Sequence, residues 1–167
     1  MTLRFGQARH GWLPTTLETD VGDLAFVSSH VPYDFPAELV AALSGVLSAP
    51  GEYVARLNEE PPNYDWRFRS EDGSALTFEV VRYRSGLRTA GAGEVVLTVG
   101  GAALDIVLPF WRGLRELASR ARDEAFGSHW NEPFPFEALE RLTVRVEQAR
   151  SAGGAGHPGD TSDRSPG

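Results

Sequence analysis

The chain has no cysteine and no lysine, and only one methionine in 167 residues. The missing cysteine excludes a disulfide framework, a thiolate metal site and cysteine-nucleophile chemistry, although it does not exclude secretion. The missing lysine makes all sixteen basic residues arginine, which rules out Schiff-base and lysine-dependent phosphate chemistry. An arginine-only complement suits a GC-rich genome. Long uncharged runs are also absent, so no stretch spans a bilayer, and Met1–His10 has no apolar run of signal-peptide length. A cytoplasmic protein with no membrane partner is therefore expected. Positive charge is scarce, with a net charge of −7. That balance argues against sequence-independent nucleic-acid binding, which depends on neutralising phosphates. A charged partner, where there is one, is expected to be basic. Acidity that serves solubility alone is the plainer reading.

What is present points to an antiparallel sheet. Tyr64, Trp66 and Phe68 alternate with Asp65, Arg67 and Arg69, and Leu76, Phe78 and Val80 repeat the alternation after a turn. A three-residue loop Glu71-Asp72-Gly73 sets Phe68 opposite Leu76 and Trp66 opposite Phe78, keeping apolar residues on one face. Residues 11–18 and 23–31 read as earlier strands, the first either an edge strand or one that starts at Thr15, because Pro14 removes a ladder donor. Both faces of the second are apolar enough to be partly covered. Asp34 before Phe35-Pro36-Ala37-Glu38 is a helix start, with Leu39, Val40, Leu43, Val46 and Leu47 at helical spacing until Pro50-Gly51. Residues 52–58, 94–99 and 104–108 read as further strands, with Pro109 opening a helix and another running from about Phe136 to Gln148. The loop from Arg84 to Gly93 is expected to be mobile at its tip.

The expected architecture is α+β: a mostly antiparallel meander of about six or seven strands, one inserted helix and two C-terminal helices. Residues 1–150 form a single domain. From Ser151 the chain has no large apolar residue, and 151–167 is expected to be a disordered tail.

The sequence carries no strong catalytic motif. There is no Gly-x-Ser-x-Gly turn, and Ser29 and His30, as strand neighbours, point to opposite faces. Gly91-Ala92-Gly93 and Gly100-Gly101 lack the strand–helix context of a phosphate cradle. Asp105, the one carboxylate placed among apolar residues, falls on the outer face by alternation. No two histidines stand at metal-ligand spacing, and a set of His10, His30 and Asp34 is the one combination that neighbouring strands could assemble. No metal or cofactor is implied.

Two stretches remain. Glu52, Glu59, Glu60, Asp65, Glu71 and Asp72 occur within twenty-one residues against three arginines, interleaved with Tyr53, Tyr64 and Trp66. Such a span is a docking surface for a basic protein, or else a solvated loop and strand end with its aromatics in the core. His129-Trp130-Asn131-Glu132-Pro133-Phe134-Pro135 is a proline-braced loop that either caps the core or recognises a partner. His10-Gly11-Trp12, Glu59-Glu60-Pro61 before Tyr64–Phe68, and His129-Trp130 before Pro133-Phe134-Pro135 together resemble small uncharacterised actinobacterial proteins. The resemblance extends over most of residues 9–140 and implies no catalytic residue. Small acidic α+β proteins of this build are similar to the immunity proteins of bacterial toxin systems.

The expectation is therefore a non-enzymatic protein-binding module of immunity type, engaging a basic partner. Glu59, Glu60, Asp65, Glu71 and Asp72 supply charge, and Trp130 supplies an apolar anchor. The alternative is a small-molecule binder or enzyme, with a pocket near His30, Trp130 and Asn131 between the sheet and the C-terminal helices.

Overall fold

The computed structural model describes residues 1–84, 87–89, 91–123 and 125–154. Seven strands lie in sequence order across one antiparallel sheet: β1 (Thr2–Phe5), β2 (Trp12–Glu18), β3 (Leu24–Ser29), β4 (Gly51–Asn58), β5 (Asn63–Ser70), β6 (Ala75–Tyr83) and β7 (Glu94–Ala102). The helices are α1 (Phe35–Val46), inserted after β3, then α2 (Ala103–Asp123), α3 (Phe126–Trp130) and α4 (Phe136–Gly154). This is the α+β meander that the alternating pattern predicts.

The core lies between the helices and one face of the sheet. Trp66, Phe68 and Phe78 are fully buried, and Phe110 of α2 meets them at centroid distances of 5.8, 5.2 and 4.9 Å. Edge-to-face rings of this kind add roughly 0.5–1.5 kcal/mol per pair beyond the area they bury.

The β5–β6 hairpin keeps its predicted faces in a different register. Phe68 pairs with Phe78 and Trp66 with Val80, two residues from the expected alignment, and a shift of two preserves the face of every side chain. The turn itself explains the shift. The Asp72 carboxylate accepts the Ser74 N–H at 2.8 Å, the Ser74 hydroxyl at 2.8 Å and the Ala75 N–H at 3.2 Å. Ser70 Oγ accepts the Gly73 N–H at 2.9 Å and donates to the Ala75 carbonyl at 2.7 Å. These side chains support a longer loop than a three-residue bulge turn needs.

Three expectations are corrected. Residues 104–108, read as a strand, are the first turns of α2. Ile106, Val107, Phe110, Trp111, Leu114, Leu117 and Ala118 form one buried helical stripe, and Pro109 lies inside the helix at the cost of one backbone bond. Pro14 does not mark an edge, because β1, absent from the sequence reading, pairs with β2 through Phe5 and Thr15. The Pro14 carbonyl accepts the Gly6 N–H at 2.7 Å, so its missing donor faces a point one step past the β1 ladder. Finally, α4 continues through Ser151–Gly154, beyond the expected boundary of the tail; 155–167 lie outside the described residues, as does part of the 84–93 loop.

The sheet is joined in its middle by a single pair, Ser29 with Asn58. On one side of that pair α1 takes the place of β3 beside β4, and Glu38 Oε2 accepts the Arg56 N–H at 3.3 Å. On the other side the 59–62 turn takes the place of β4 beside β3, and Glu59 Oε1 accepts the Val27 N–H at 2.8 Å. The Arg56 and Val27 amides, which lose a ladder partner here, are thus each satisfied by a carboxylate. β3 is not covered on its outer face, where Ala25 and Val27 are exposed, Val27 by 43%.

Candidate functional site

Strand alternation places Asp65 on the outer face, away from the core, yet it is only 7% exposed. Arg88 closes over it, donating Nε to Asp65 Oδ1 at 2.6 Å and Nη2 to the carbonyls of Leu57 and Tyr64 at 3.3 and 3.2 Å. Tyr83 donates its hydroxyl to Asp65 Oδ2 at 3.1 Å and accepts Arg67 Nη2 at 2.6 Å. Burial, and then the Asp65 charge, push the Tyr83 phenol above its usual range. The guanidiniums of Arg88 and Arg56 both lie over the Tyr33 ring, at 4.8 and 4.4 Å, and Arg56 is held by a two-point bond to Glu38. Asp65 is therefore the anionic centre of a closed polar network and is not available as an electrostatic contact.

The stretches His10-Gly11-Trp12 and His129-Trp130, far apart in sequence, meet in space. His10 and Gly11 form a two-residue turn with φ of 53° and 79°, across which Arg9 and Trp12 exchange both backbone bonds at 2.9 Å. Gly11 donates its N–H to the His129 carbonyl at 2.7 Å, and its own carbonyl accepts the His30 N–H at 2.9 Å. A Cβ at Gly11 would lie 2.5 Å from His30 Nδ1, so glycine is required by both φ and space. His30 Nδ1 is 3.3 Å from the Gly11 carbonyl, and its Nε2 is 3.5 Å from Asn131 Nδ2. Trp130 is fully buried and donates Nε1 to Asp34 Oδ1 at 2.9 Å.

Asp34 stands at the N-cap of α1, its carboxylate near the Ala37 N–H but short of a well-formed cap bond. Burial raises its pKa, opposed by the Trp130 indole and the Ala37 N–H. His30, Asn131 and Trp130 are thus brought together, but as a packed junction in which Trp130 is core. Among the described residues no group of three histidine, aspartate or glutamate side chains is arranged to hold a metal.

The acidic span does not form one patch. Glu59 and Glu60 precede β5 while Glu71 and Asp72 follow it, and eight strand residues separate them by roughly 23 Å. Glu59 is half-buried and holds Val27, whereas Glu60 is exposed. At the far end Glu71 and Asp72 are exposed, and the Ser74 bonds hold the Asp72 carboxyl below its usual range, with the Ala75 N–H adding to them. The Ser74 carbonyl accepts the Ala103 N–H at 2.9 Å, which sets this turn against the start of α2 and exposed Asp105. Asp105 in turn shares a cavity of about 320 Å³ with Asp20, lined also by Met1, Thr19, Val21, Thr98, Val99, Gly100 and Ile106.

Asp20 and Asp105 thus share one cavity, and the turn that bears Glu71 and Asp72 abuts the start of the same helix. Sequence reasoning found two of these four. Asp20 is far removed in sequence, and alternation over Leu104–Leu108 reads Asp105 as a strand residue; the four-residue spacing of Ile106, Phe110 and Leu114 is the helical signal.

No family model matches this chain, and no curated protein matches it. Among solved structures it is similar to a chain of a CdiA-CT/CdiI toxin and immunity complex from Enterobacter cloacae, at 12% identity and a TM-score of 0.46, over 68% of this chain and 97% of that one. A likeness of that degree carries no inference for this chain. Among the described residues no helix is long and apolar enough to cross a membrane.

Proposed function

We propose that this protein is a non-enzymatic binding module that engages a basic protein through its acidic end. The observation that supports the reading is the exposure of Asp20, Glu71, Asp72 and Asp105 around the start of α2 and the turns beside it. Exposed carboxylates placed around one element raise the local concentration of a cationic partner and speed its association. Glu60 at the opposite end is a second, smaller electrostatic contact. In its finer form the reading is of an immunity-type protein whose partner is a basic toxin domain.

The test uses the full chain as immobilised bait in lysate of its source, at low and moderate salt. A basic protein should be retained at low salt and released at moderate salt. Bait carrying Asp20→Arg, Glu71→Arg and Asp105→Arg should lose it, and bait carrying Glu60→Arg should keep most of it. Asp72 is left intact because its carboxylate builds the β5–β6 turn. Equal retention by all three baits would overturn the reading.

A further inference from the structure

The two edges of the sheet are finished differently. At β1, Arg120 of α2 donates to the Phe5 carbonyl at 2.7 Å and to the Gly6 carbonyl at 3.4 Å, and a Cβ on Gly113 of α2 would lie 2.7 Å from the Leu3 carbonyl. That edge is closed by a helix. β7 is the last strand in the sheet order, and no described strand pairs with its far side. Its one charged residue, Glu94, is occupied by Arg82 and Arg84, both at 2.9 Å. From Val95 to Ala102 there is neither charge nor proline, and Thr98, Gly100, Gly101 and Ala102 are exposed.

Edge strands are ordinarily blunted by charge, proline, a bulge or a covering element. The register passes from Val80 opposite Leu97 to Val81 opposite Val95, so the bulge is Val96 of β7 itself, and it leaves Thr98–Ala102 in regular pairing with β6. A Cβ placed on Gly100 would meet nothing within 4 Å, so the sheet face is open beside this part of the edge. Beside this same segment lies the cavity of about 320 Å³ that Asp20 and Asp105 line, with Val21, itself 71% exposed, across from the strand.

Resting on the reading above and deepening it, we infer that the Thr98–Ala102 edge of β7 is a strand-pairing site for an extended basic segment of the partner, whose cationic side chain enters the gap between Asp20 and Asp105. Backbone pairing supplies affinity without regard to sequence, and the side chains that flank the edge supply selection. The pair of carboxylates favours arginine or lysine at the position that faces the gap and disfavours an acidic residue there. Val21 offers an apolar contact to a neighbouring residue of the same segment.

The probe is a short peptide alternating threonine and valine around a central arginine, with a counterpart carrying glutamate instead. It is added to the full chain, and amide hydrogen exchange is followed residue by residue. The arginine peptide should slow exchange at alternate amides of Thr98–Ala102 by about tenfold or more, and the glutamate peptide should not. Asp20→Asn with Asp105→Asn should weaken the arginine peptide roughly three- to tenfold.

Unchanged exchange in β7 at saturating peptide overturns the inference, as does equal protection by both peptides. Protection already present without peptide and rising with protein concentration overturns it in favour of a second copy of this chain. The bait experiment is read independently. A partner lost with the charge-reversed bait, together with an unprotected β7, would leave the binding-module reading standing and remove only the strand pairing.

Discussion

Asp65 and Asp34 are both carboxylates that the chain withdraws from solvent, and their surroundings differ. Asp65 is met by two guanidiniums and a phenol, whereas Asp34 has an indole N–H and a neighbourhood that also contains Glu38 and Glu132. The raised pKa of Asp34 means that the folded chain holds this proton more tightly than the unfolded one. Its contribution to stability is therefore full below the ordinary value of 3.8 and is lost as pH rises through the higher folded value. Asp34→Asn keeps an acceptor for Trp130 without the charge. Urea unfolding between pH 4 and 7 should show a smaller decline in stability for this variant than for the parent, and an unchanged decline would remove Asp34 as the cause. Neither environment was legible in the sequence. Arg88 reaches Asp65 from 23 residues away and Trp130 reaches Asp34 from 96, and strand periodicity reports only which face a side chain takes, not what arrives to cover it.

Among the elements, α1 is the one whose place depends on the break in the sheet. It lies along β4 where β3 has departed, and Glu38 both satisfies the Arg56 amide and grips its guanidinium, at 2.8 and 3.0 Å. Glu38→Ala leaves that amide and the arginine without their acceptor and should cost roughly 1–3 kcal/mol, measurable by thermal or urea unfolding. A cost near zero would mean that water replaces the carboxylate freely. The helix itself was legible from Asp34-Phe35-Pro36 and its apolar spacing, as were the faces of β5 and β6. Leu104–Leu108 misled because alternation over five residues also fits the opening of a helix whose stripe becomes clear only after Phe110. The hairpin register was missed because it is fixed by the side chains of Asp72 and Ser70, which a count of loop residues does not weigh. Of the candidate site, Glu71 and Asp72 could be read as exposed turn residues, but their turn meets the start of α2, and Asp105 meets Asp20, only through tertiary packing.

At the scale of the whole molecule, meander order makes most pairing local, and the exceptions are instructive. β4 to β7 follow one another through sequence-adjacent partners and share the Trp66–Phe78–Phe110 cluster. β1 to β3 are held to them by one ladder pair, by the Glu59–Val27 bond, by Phe26 against Tyr64 and Trp66, and by α2, whose Arg120 is 115 residues from Phe5. That joint has a kinetic meaning. Loop closure over so long a separation is entropically expensive, so the β4–β7 unit is the natural folding nucleus, and the N-terminal strands dock after the transition state. Substitutions such as Phe78→Leu should then slow refolding, while Leu3→Ala should leave refolding nearly unchanged and accelerate unfolding. Chevron measurements on the two variants decide the matter, and a refolding rate depressed as much by Leu3→Ala as by Phe78→Leu would place the N-terminal strands in the nucleus instead. A single pair of residues between two halves of a sheet would in that case be a joint in geometry alone. With the expected result it also divides the order of assembly, separating a half that the chain can build early from one that waits for α2.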